Sequence, residues 1–363
     1  MNDICRLLKS LKAKKDNLFA MATICRVDGS AYRREGAKML ICGDGSYYGT
    51  ISAGCLEQDL IYQAEDVIST LVPKTVQYDL RSVDDLSWGQ SAGCDGNIEV
   101  YVEPIGWNLN KLKEDLLLWP HIDEQLNKGF TVVSIKCLTP EAMHNPVILS
   151  FDHEMMDVKF NDIDIPPIFT PLVNQFLQER VKVKFIRLNE LQADFLFELY
   201  EPKEQLFVFG AGPDAEPLVE LASRTDFSVV VIDPRESRCN ETYFPQADKR
   251  IVEHPATFFA NRTIPENVYV LVMTHNFNRD REILQHLLQN PPKYIGVLGP
   301  KRRTERLIND KEALSHIYSP IGLDIFAEGP EEISISVVAQ LIQIRNQTLK
   351  QQRIQRAVEC WSH

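Results

Sequence analysis

The fold is decided by the stretch Leu206-Phe-Val-Phe-Gly-Ala-Gly-Pro-Asp-Ala-Glu-Pro-Leu-Val-Glu-Leu-Ala222. Its first four residues are apolar, which is typical of a buried parallel strand. A Gly210-x-Gly212-x-x-Ala215 turn follows, and apolar residues at helical spacing come next. A strand, a glycine turn and a helix in this order are the context of a dinucleotide fingerprint. Gly210 permits the tight turn, Gly212 lets the backbone approach a phosphate, and the helix N-terminus offers N–H groups to an anion.

A second strand supports this interpretation. Phe227 to Ile232 is apolar and β-branched, and Asp233 follows it directly. An acid at this place is expected to bind ribose hydroxyls, and Arg235 and Arg238 just beyond it suit a further phosphate. A strand–helix–strand unit without any ligand is the alternative. The strand, the glycines and the acid together favour an anionic, nucleotide-like ligand, without identifying it.

Strands and helices alternate through the rest of this half. A short strand is predicted near Arg250, a strand over Val268–Val272, a helix over Arg279–Leu288 and a strand over Tyr294–Leu298. This alternation predicts a Rossmann-like parallel sheet with helices on both faces over residues 204–345. A last long helix is predicted to start at Pro330, and residues 346–363 to form a helical tail.

The first half, residues 1–203, is predicted to be a separate α+β domain that ends at a polar bridge, Glu201–Gln205. Strands are predicted over Leu18–Val27, Ala37–Cys42 and Tyr47–Ser52, and a charged helix over Asn110–Lys128. Two glycine turns in this half contain cysteine, Ala53-Gly-Cys55 and Gly93-Cys-Asp-Gly96.

Composition excludes several classes of protein. The 363 residues are 44% hydrophobic and 25% charged, as in a globular chain with ample core. A net charge of -12 disfavours wholesale binding to nucleic acid or to an anionic membrane. No apolar run reaches the length of a membrane span, and the N-terminus lacks a signal-peptide pattern. The eight cysteines are scattered without a Cys-x-x-Cys pair, so we expect a cytoplasmic protein without a disulfide framework or zinc ribbon.

The loops after the strands of the predicted parallel sheet contain the candidate binding residues, because ligands of such sheets lie outside the carboxyl ends of the strands. The candidates are Gly210, Gly212, Pro213, Asp214, Asp233, Arg235, Thr274, His275, Gly299, Lys301, Arg302 and Arg303. Arginine suits phosphate because its planar fork donates two parallel hydrogen bonds. The alternatives are a solvated helix start at residues 301–303 and a purely structural His275.

Two cysteines of the first half are the candidates for reactive thiols. Cys55 directly precedes a predicted helix, and a helix N-terminus lowers the pKa of a thiol. Cys94 lies between glycines in the second glycine turn. The two thiols would suit a soft metal or a transferred sulfur atom. The alternative is that both are small buried residues.

These residues together resemble the XdhC/CoxI family, the accessory proteins of xanthine dehydrogenase and other molybdenum hydroxylases. The motifs that carry the resemblance are Gly29-Ser-Ala-Tyr-Arg-Arg-Glu-Gly-Ala-Lys-Met-Leu40, Gly49-Thr-Ile-Ser-Ala-Gly-Cys-Leu-Glu57, Phe209-Gly-Ala-Gly212, Asp233-x-Arg235, Thr274-His275, Tyr294-Ile-Gly-Val-Leu-Gly299, Pro320-Ile-Gly-Leu-Asp-Ile325 and Ala327-Glu-Gly-Pro-Glu-Glu332. The chain departs from the family pattern at Asp95 and Phe326, where glycine is usual, and at Pro213, where histidine is common.

The resemblance implies a cofactor-maturation factor rather than a catalyst. Such a protein binds molybdenum cofactor of the molybdopterin type, assists its sulfuration with a cysteine desulfurase, and delivers it to an apo molybdenum hydroxylase of the xanthine dehydrogenase type. By the same resemblance Cys55 faces the molybdenum, with Cys94 as a second thiol. Arg33 and Arg34 assist in binding the cofactor, and a homodimer is allowed.

An NAD(P)-dependent oxidoreductase is the alternative from another class. Asp233 and the Gly-x-Gly turn favour it, whereas no Tyr-x-x-x-Lys proton-donor pair stands out in the sequence. A nucleotide-sensing scaffold, which would bind a ligand without turnover or client activation, is a third possibility.

Overall fold

The computed structural model describes residues 3–14, 16–52, 54, 56–80, 96–107, 118–139, 147–151, 157–159, 167–179, 181–308 and 310–360. The chain divides into two compact units, Asn2–Pro202 and Lys203–His363.

The N-terminal unit contains two antiparallel sheets and four helices within its described residues. Its elements are α1 (Asp3–Ala13), β1 (Leu18–Gly29), β2 (Lys38–Cys42), β3 (Tyr47–Gly49), α2 (Glu57–Thr70), β4 (Lys74–Asp79), β5 (Gly96–Gly106), α3 (Leu118–Asn127), β6 (Thr131–Cys137), β7 (Val147–Phe151), β8 (Asp157–Lys159), α4 (Phe169–Glu179), β9 (Val183–Leu188) and β10 (Ala193–Tyr200). The strand orders are β3-β2-β1-β5-β4 in the first sheet and β8-β7-β6-β10-β9 in the second. This confirms the predicted α+β character of the first half.

The first sheet is buried on both faces, which explains the almost unbroken apolar run of β1. Side chains of a strand point alternately to opposite faces. Ala20, Ala22 and Ile24 therefore join the core beneath α2, whereas Phe19 and Met21 join the core formed with α1 and α3.

The second sheet separates two different environments. One face packs aromatic residues of β10, Phe195 and Phe197, against α4. The alternate residues of β10 point the other way, where Leu196 packs with Cys25 and Tyr101 of the first sheet. The two sheets of this unit therefore meet through their facing sides.

The C-terminal unit contains one six-stranded parallel sheet. Its elements are β11 (Glu204–Phe209), α5 (Ala215–Arg224), β12 (Phe227–Ile232), β13 (Lys249–Ile251), α6 (Pro255–Asn261), β14 (Tyr269–Val272), α7 (Phe277–Leu287), β15 (Tyr294–Val297), α8 (Lys301–Leu307), α9 (Lys311–Leu314), β16 (Ile317–Tyr318) and α10 (Gly329–Cys360). The strand order is β13-β12-β11-β14-β15-β16, with every pair parallel.

Helices cover both faces of this sheet. On one face Leu218 of α5 and Leu341 of α10 pack with the apolar side chains of β11 and β12. On the other, Phe258 of α6, Ile283 of α7 and Leu307 of α8 form a second core. The predicted Rossmann-like fold is confirmed.

Two element bounds differ from the sequence prediction. α7 begins at Phe277 rather than Arg279, because the Asn276 side chain caps the helix by accepting from the N–H groups of Asn278 and Arg279. β3 ends at Gly49, which has a φ of 86°, so the predicted strand to Ser52 stops three residues early.

The other differences lie in the long helices. α10 runs without interruption from Gly329 to Cys360, so the residues predicted as a helical tail from position 346 continue the preceding long helix. The predicted helix over residues 110–128 is observed from Leu118 to Asn127, and residues 108–117 lie outside the described part of the chain.

Candidate functional site at the carboxyl edge of the parallel sheet

The chain changes its direction of winding between β11 and β14. β12 and β13 lie on one side of β11, whereas β14, β15 and β16 lie on the other. In open parallel sheets, ligands bind outside the carboxyl ends of the strands at such a switch point. The loops there are residues 210–214, 233–235, 273–276 and 298–303, which we call the carboxyl edge.

Gly210 forms the tight turn that follows β11. Its φ is 123°, and a Cβ at this position would lie 2.3 Å from the Met273 carbonyl oxygen at the end of β14. The Gly210 N–H donates to the Ile232 carbonyl at 2.9 Å. Only glycine combines this conformation with so close an approach of two backbones, so Gly210 fixes the floor of the edge.

Asp214 and His275 form a pair that bridges the switch point. The Nε2 atom of His275 lies 2.8 Å from Oδ2 of Asp214. A Cβ on Gly212 would lie 2.3 Å from Asp214 Oδ1, so glycine leaves room for the pair. His275 adopts a left-handed φ of 55°, which is uncommon for a residue other than glycine and tends to occur at functional sites. The structure thus brings together a turn residue and a histidine that the sequence placed in separate loops.

The N-terminus of α5 has fewer free N–H groups for a ligand than the corresponding helix of a Rossmann fold usually has. Pro213 and Pro217 have no N–H, and the Ala215 N–H donates to the Gly212 carbonyl at 3.1 Å. The Asp214 side chain makes no capping hydrogen bond, because it is turned to His275. Among the described residues, no acceptor is found for the N–H groups of Gly212 and Asp214. These two groups are the donors that remain for an anion.

Asp233 is buried under Arg235. Its Oδ1 accepts from the Arg235 N–H and Nε at 2.8 and 2.9 Å. Its Oδ2 accepts from the Ala211 N–H at 2.9 Å and from Arg235 Nη2 at 2.7 Å. Burial alone would raise the pKa of the Asp233 carboxyl, but these hydrogen bonds outweigh it and hold the pKa below its ordinary value. The carboxylate therefore ties the glycine turn to the loop after β12.

Thr274 and Arg303 both contact Asp280, a buried residue in the first turn of α7. The Thr274 hydroxyl donates to Asp280 Oδ1 at 2.5 Å, and Arg303 Nη2 donates to Oδ2 at 2.6 Å. Arg303 thereby holds the loop after β15 against the loop after β14, and Gly299 precedes it with a φ of 106°. Sequence reasoning missed Asp280, because an acid in a first helical turn looks like an ordinary partner of the helix dipole.

Arg238 reaches the glycine turn from the loop that follows β12. Its Nε donates to the Ala211 carbonyl at 3.1 Å, and its guanidinium pairs with Glu216 of α5. The same guanidinium lies 3.9 Å from the centroid of the Tyr243 ring. From the sequence, Arg238 was expected to bind a phosphate. In the structure its guanidinium is paired with the carboxylate of Glu216.

Most basic side chains at or next to the carboxyl edge have a carboxylate partner. His275, Arg235, Arg238 and Arg303 contact Asp214, Asp233, Glu216 and Asp280 respectively. Lys301 and Arg302 are exposed, and neither has a carboxylate partner in the part of the chain that the structure describes. These two side chains are the cations that an incoming anion meets without first displacing a carboxylate.

The loop around position 55 is held by Ser52 and Glu57 in the N-terminal unit. Glu57 is buried and accepts from the N–H groups of Ser52 and Gly54 at 2.8 and 3.1 Å. The Ser52 hydroxyl accepts from the Leu56 N–H at 3.0 Å. Burial would raise the pKa of Glu57, but the hydrogen bonds from Ser52 and the backbone lower it. Backbone on both sides of position 55 is thus fixed to buried groups.

The remaining predicted site residues belong to the same unit. Cys55 and Cys94 lie outside the described residues. Arg33 and Arg34 lie between β1 and β2, where Arg33 is half-buried and Arg34 is exposed and donates to the Gly29 carbonyl at 3.4 Å.

A buried charge cluster between the two sheets of the N-terminal unit was not predicted. It consists of Lys38, Glu103, Lys136 and Glu198. Lys136 Nζ lies 2.5 Å from Glu103 and 3.0 Å from Glu198, and Lys38 pairs with the other oxygen of Glu198. Burial opposes ionisation of Glu198, yet the two lysines outweigh it and lower its pKa to about 2. The two lysines and two glutamates therefore neutralise one another inside the unit.

Metal-binding and membrane-spanning features were searched in the described ranges. There, no group of three or more His, Cys, Asp or Glu side chains is arranged to hold a metal ion. No helix in the same ranges is long and apolar enough to cross a bilayer.

The fold defines a class of protein: a Rossmann-type unit with a switch point between β11 and β14, joined to an antiparallel α+β unit. Comparison with known families identifies it further. The model of the XdhC Rossmann domain matches residues 206–341, and that of the XdhC and CoxI family matches residues 13–79. The chain belongs to the XdhC and CoxI family, which confirms the resemblance seen in its motifs.

Individual relatives match nearly the whole chain. A probable xanthine dehydrogenase subunit of Bacillus subtilis (strain 168) is 36% identical over 90% of this chain and 92% of its own length. The molybdenum cofactor insertion chaperone PaoD of Escherichia coli (strain K12) is 22% identical over 90% of this chain and 83% of its own length. The crystal structure of a xanthine dehydrogenase from Bacillus halodurans superimposes with a TM-score of 0.76, with 40% identity and 96% of both chains covered.

Proposed function

We propose that this protein is a maturation factor for a molybdenum hydroxylase of the xanthine dehydrogenase type. It binds molybdenum cofactor as cargo, assists its sulfuration together with a cysteine desulfurase, and passes it to the apo-enzyme. The observation that carries the proposal is the match to the XdhC and CoxI family at both ends of the chain, at residues 13–79 and 206–341. A chaperone for molybdenum cofactor insertion is among the relatives that match 90% of the chain.

The carboxyl edge supplies the groups for the phosphate of the cargo. A phosphate is a compact anion that accepts several hydrogen bonds. The unused N–H groups of Gly212 and Asp214 and the unpaired side chains of Lys301 and Arg302 are, among the described residues, the donors that suit it. The paired arginines stabilise the loops, and they would bind the cargo only after leaving their carboxylates.

Cys55 is the residue that we propose to hold the molybdenum or to carry its sulfur. Thiolates are soft ligands and suit such a metal. Ser52 and Glu57 support the proposal, because they fix the N–H groups of Gly54 and Leu56 on either side of this position. Cys94 is proposed as a second thiol of the same chemistry.

Binding of the cargo tests the first part of the proposal. Purified protein is titrated with molybdenum cofactor in anaerobic buffer with thiol reductant, and pterin fluorescence and thermal unfolding are followed. A ligand at about 100 times its dissociation constant stabilises the folded state by about 2.7 kcal/mol. We expect this stabilisation in the wild type and a weaker effect in a Lys301→Ala, Arg302→Ala variant. Unchanged unfolding at saturating cofactor would contradict the proposal.

Activation of a client tests the second part. Loaded protein is mixed with an apo molybdenum hydroxylase, with and without a cysteine desulfurase and cysteine, and hydroxylase activity is followed. The Cys55→Ala variant should bind cofactor less tightly or fail to activate the client. The Cys25→Ala variant is the matched control, because Cys25 is buried and its pKa is raised to about 12. Equal activation by the Cys55→Ala protein would remove this cysteine from the proposal.

A further inference from the structure

In a Rossmann fold, an acid after the second strand binds the ribose of the ligand. In this chain that acid, Asp233, is already hydrogen-bonded to Arg235. Asp233 stands directly after β12, the place of a ribose-binding acid. Its side chain is 1% exposed, whereas that of Arg235 above it is 47% exposed. Arg235 therefore lies between the carboxylate and the solvent.

The hydrogen bonds of Asp233 leave no acceptor capacity for a ribose. An ionised carboxylate has about four lone-pair positions. Asp233 receives four donors: three from Arg235 and one from the Ala211 N–H. A ribose that presented two hydroxyls here would have to displace the guanidinium from a buried carboxylate.

The local chain geometry builds this arrangement into the loop. The Arg235 N–H donates to the Asp233 side chain two residues earlier, which is the hydrogen bond of an Asx-turn. Pro234 lies between them and fixes its own φ. The turn thus places the Arg235 side chain above the Asp233 carboxylate, where Nε and Nη2 donate to its two oxygens.

The same ligand would also find few donors at the glycine turn. A dinucleotide places its pyrophosphate on the N-terminus of the helix after the first strand. Here Pro213 and Pro217 remove two of the N–H groups that a pyrophosphate would use, which leaves those of Gly212 and Asp214. The acid after β12 and the turn before α5 therefore both offer a dinucleotide fewer hydrogen bonds than a Rossmann fold usually does.

We infer that Arg235 is a specificity-determining residue that excludes NAD, with its free ribose diol, from the carboxyl edge by occupying Asp233. The inference deepens the proposed function, on which it rests for the assumption that the edge is the ligand site. The edge thereby selects a phosphate-bearing cargo that does not present a ribose diol to the acid after β12. It also separates this chain from an NAD-dependent oxidoreductase with the same glycine turn.

Release of Asp233 tests the inference. NAD is titrated into the wild type, Arg235→Ala and Arg235→Gln proteins, with binding followed by calorimetry. The wild type should bind NAD at least tenfold more weakly than Arg235→Ala. Adding Asp233→Asn to Arg235→Ala should abolish the gain, because an amide has one acceptor oxygen where the carboxylate offers one to each hydroxyl. Arg224→Ala is the matched control, since this exposed arginine pairs with Glu220 at the far end of α5.

The outcomes are distinguishable from those of the proposed function. Equal NAD affinity in the wild type and Arg235→Ala, whether tight or undetectable, overturns the role of Arg235. Circular dichroism and thermal unfolding show whether each variant is folded, and Arg235→Gln replaces Arg235→Ala where the latter is not. Molybdenum cofactor is titrated into the wild type in the same series. A gain of NAD binding in Arg235→Ala with no cofactor binding in the wild type would leave the inference standing and end the proposed function.

Discussion

The two units pair their charges in opposite ways. In the N-terminal unit, Lys136 and Glu198 are 4% and 1% exposed and lie between two sheets. At the carboxyl edge of the C-terminal unit, a buried carboxylate faces an exposed cation, as in Asp233 and Arg235. Both carboxylates are buried, so the two pairs differ in the exposure of the cation.

Burial therefore decides what each set of charges does. Removing one partner of a buried pair leaves an uncompensated charge in a poorly polarisable medium. A pair in which both partners are exposed contributes little to stability, because solvent screens it. We expect the buried charge cluster to stabilise the fold, and the exposed side chains of Lys301 and Arg302, which have no carboxylate partner among the described residues, to remain available to a ligand.

The largest expected effect comes from opening the buried charge cluster. Lys136→Met leaves Glu103 and Glu198 without the lysine between them, and should destabilise the N-terminal unit by about 3–5 kcal/mol. The measurement is chemical denaturation followed by tryptophan fluorescence. Three of the four tryptophans, at positions 88, 107 and 119, belong to this unit, and Lys136 Nζ lies 4.5 Å from the centroid of the Trp119 ring.

The control for this variant is an exposed lysine of the same unit. Lys128 pairs with Glu124 at the surface, with both side chains about half exposed. Lys128→Met should leave the unfolding midpoint unchanged within the error of the measurement. Equal midpoints for the two variants would mean that burial does not separate the two kinds of pair.

Acid should weaken the N-terminal unit through the same cluster. The pKa of Glu198 is about 2 in the folded unit, against about 4.3 in an unfolded chain. A depressed folded pKa stabilises above the unfolded pKa, and this contribution is lost as the pH falls from about 5 to about 2. The loss is on the order of 3 kcal/mol. Tryptophan-detected denaturation at pH 7, 5 and 3 measures it, and equal stability at pH 7 and pH 3 would contradict it.

The sequence predicted the elements of the edge because each one is local. A strand, a glycine turn and a helix are adjacent in the chain, and the close packing at Gly210 follows from that pattern. Phe326 is a similar case, since glycine is usual there in the family and the structure shows a left-handed φ of 58°. A local backbone conformation can be predicted because it favours particular residue types.

The buried charge cluster could not be predicted in the same way. Lys38 and Glu198 are 160 residues apart in the chain, and each has apolar neighbours within its own strand, with no local pattern that shows the two meeting. The fold of Arg235 over Asp233 was also missed, although the two are neighbours. The sequence shows that an acid and a base are close in the chain, but it does not show which of the two side chains faces the solvent.

The backbone of the edge should matter more to stability than its exposed charges. Gly210→Ala forces a Cβ to 2.3 Å from the Met273 carbonyl at a φ of 123°, and should cost about 2–3 kcal/mol. Gly129→Ala is the control, because Gly129 also has a positive φ, of 88°, but no atom within 4 Å of the added Cβ. It should cost about 1 kcal/mol. Thermal unfolding of both variants checks the difference, and an equally mild Gly210→Ala would show that the turn can shift.

The smallest effect on stability is expected from removing Lys301 or Arg302, the exposed side chains of the edge without a carboxylate partner among the described residues. Their removal should instead weaken the binding of an anion. Arg302→Ala removes an exposed charge without a carboxylate partner among the described residues, so the unfolding midpoint should not move.

Affinity for inorganic pyrophosphate, used as a probe of the edge, should fall about threefold to tenfold in Arg302→Ala, corresponding to about 1 kcal/mol, and the fall should shrink as salt rises. Lys249→Ala is the matched control, because Lys249 is exposed at the amino end of β13, away from the carboxyl edge. An equal loss in both variants would assign the binding to overall charge. A loss confined to Arg302→Ala would show that an exposed cation left unpaired at the switch point is one that a ligand can use.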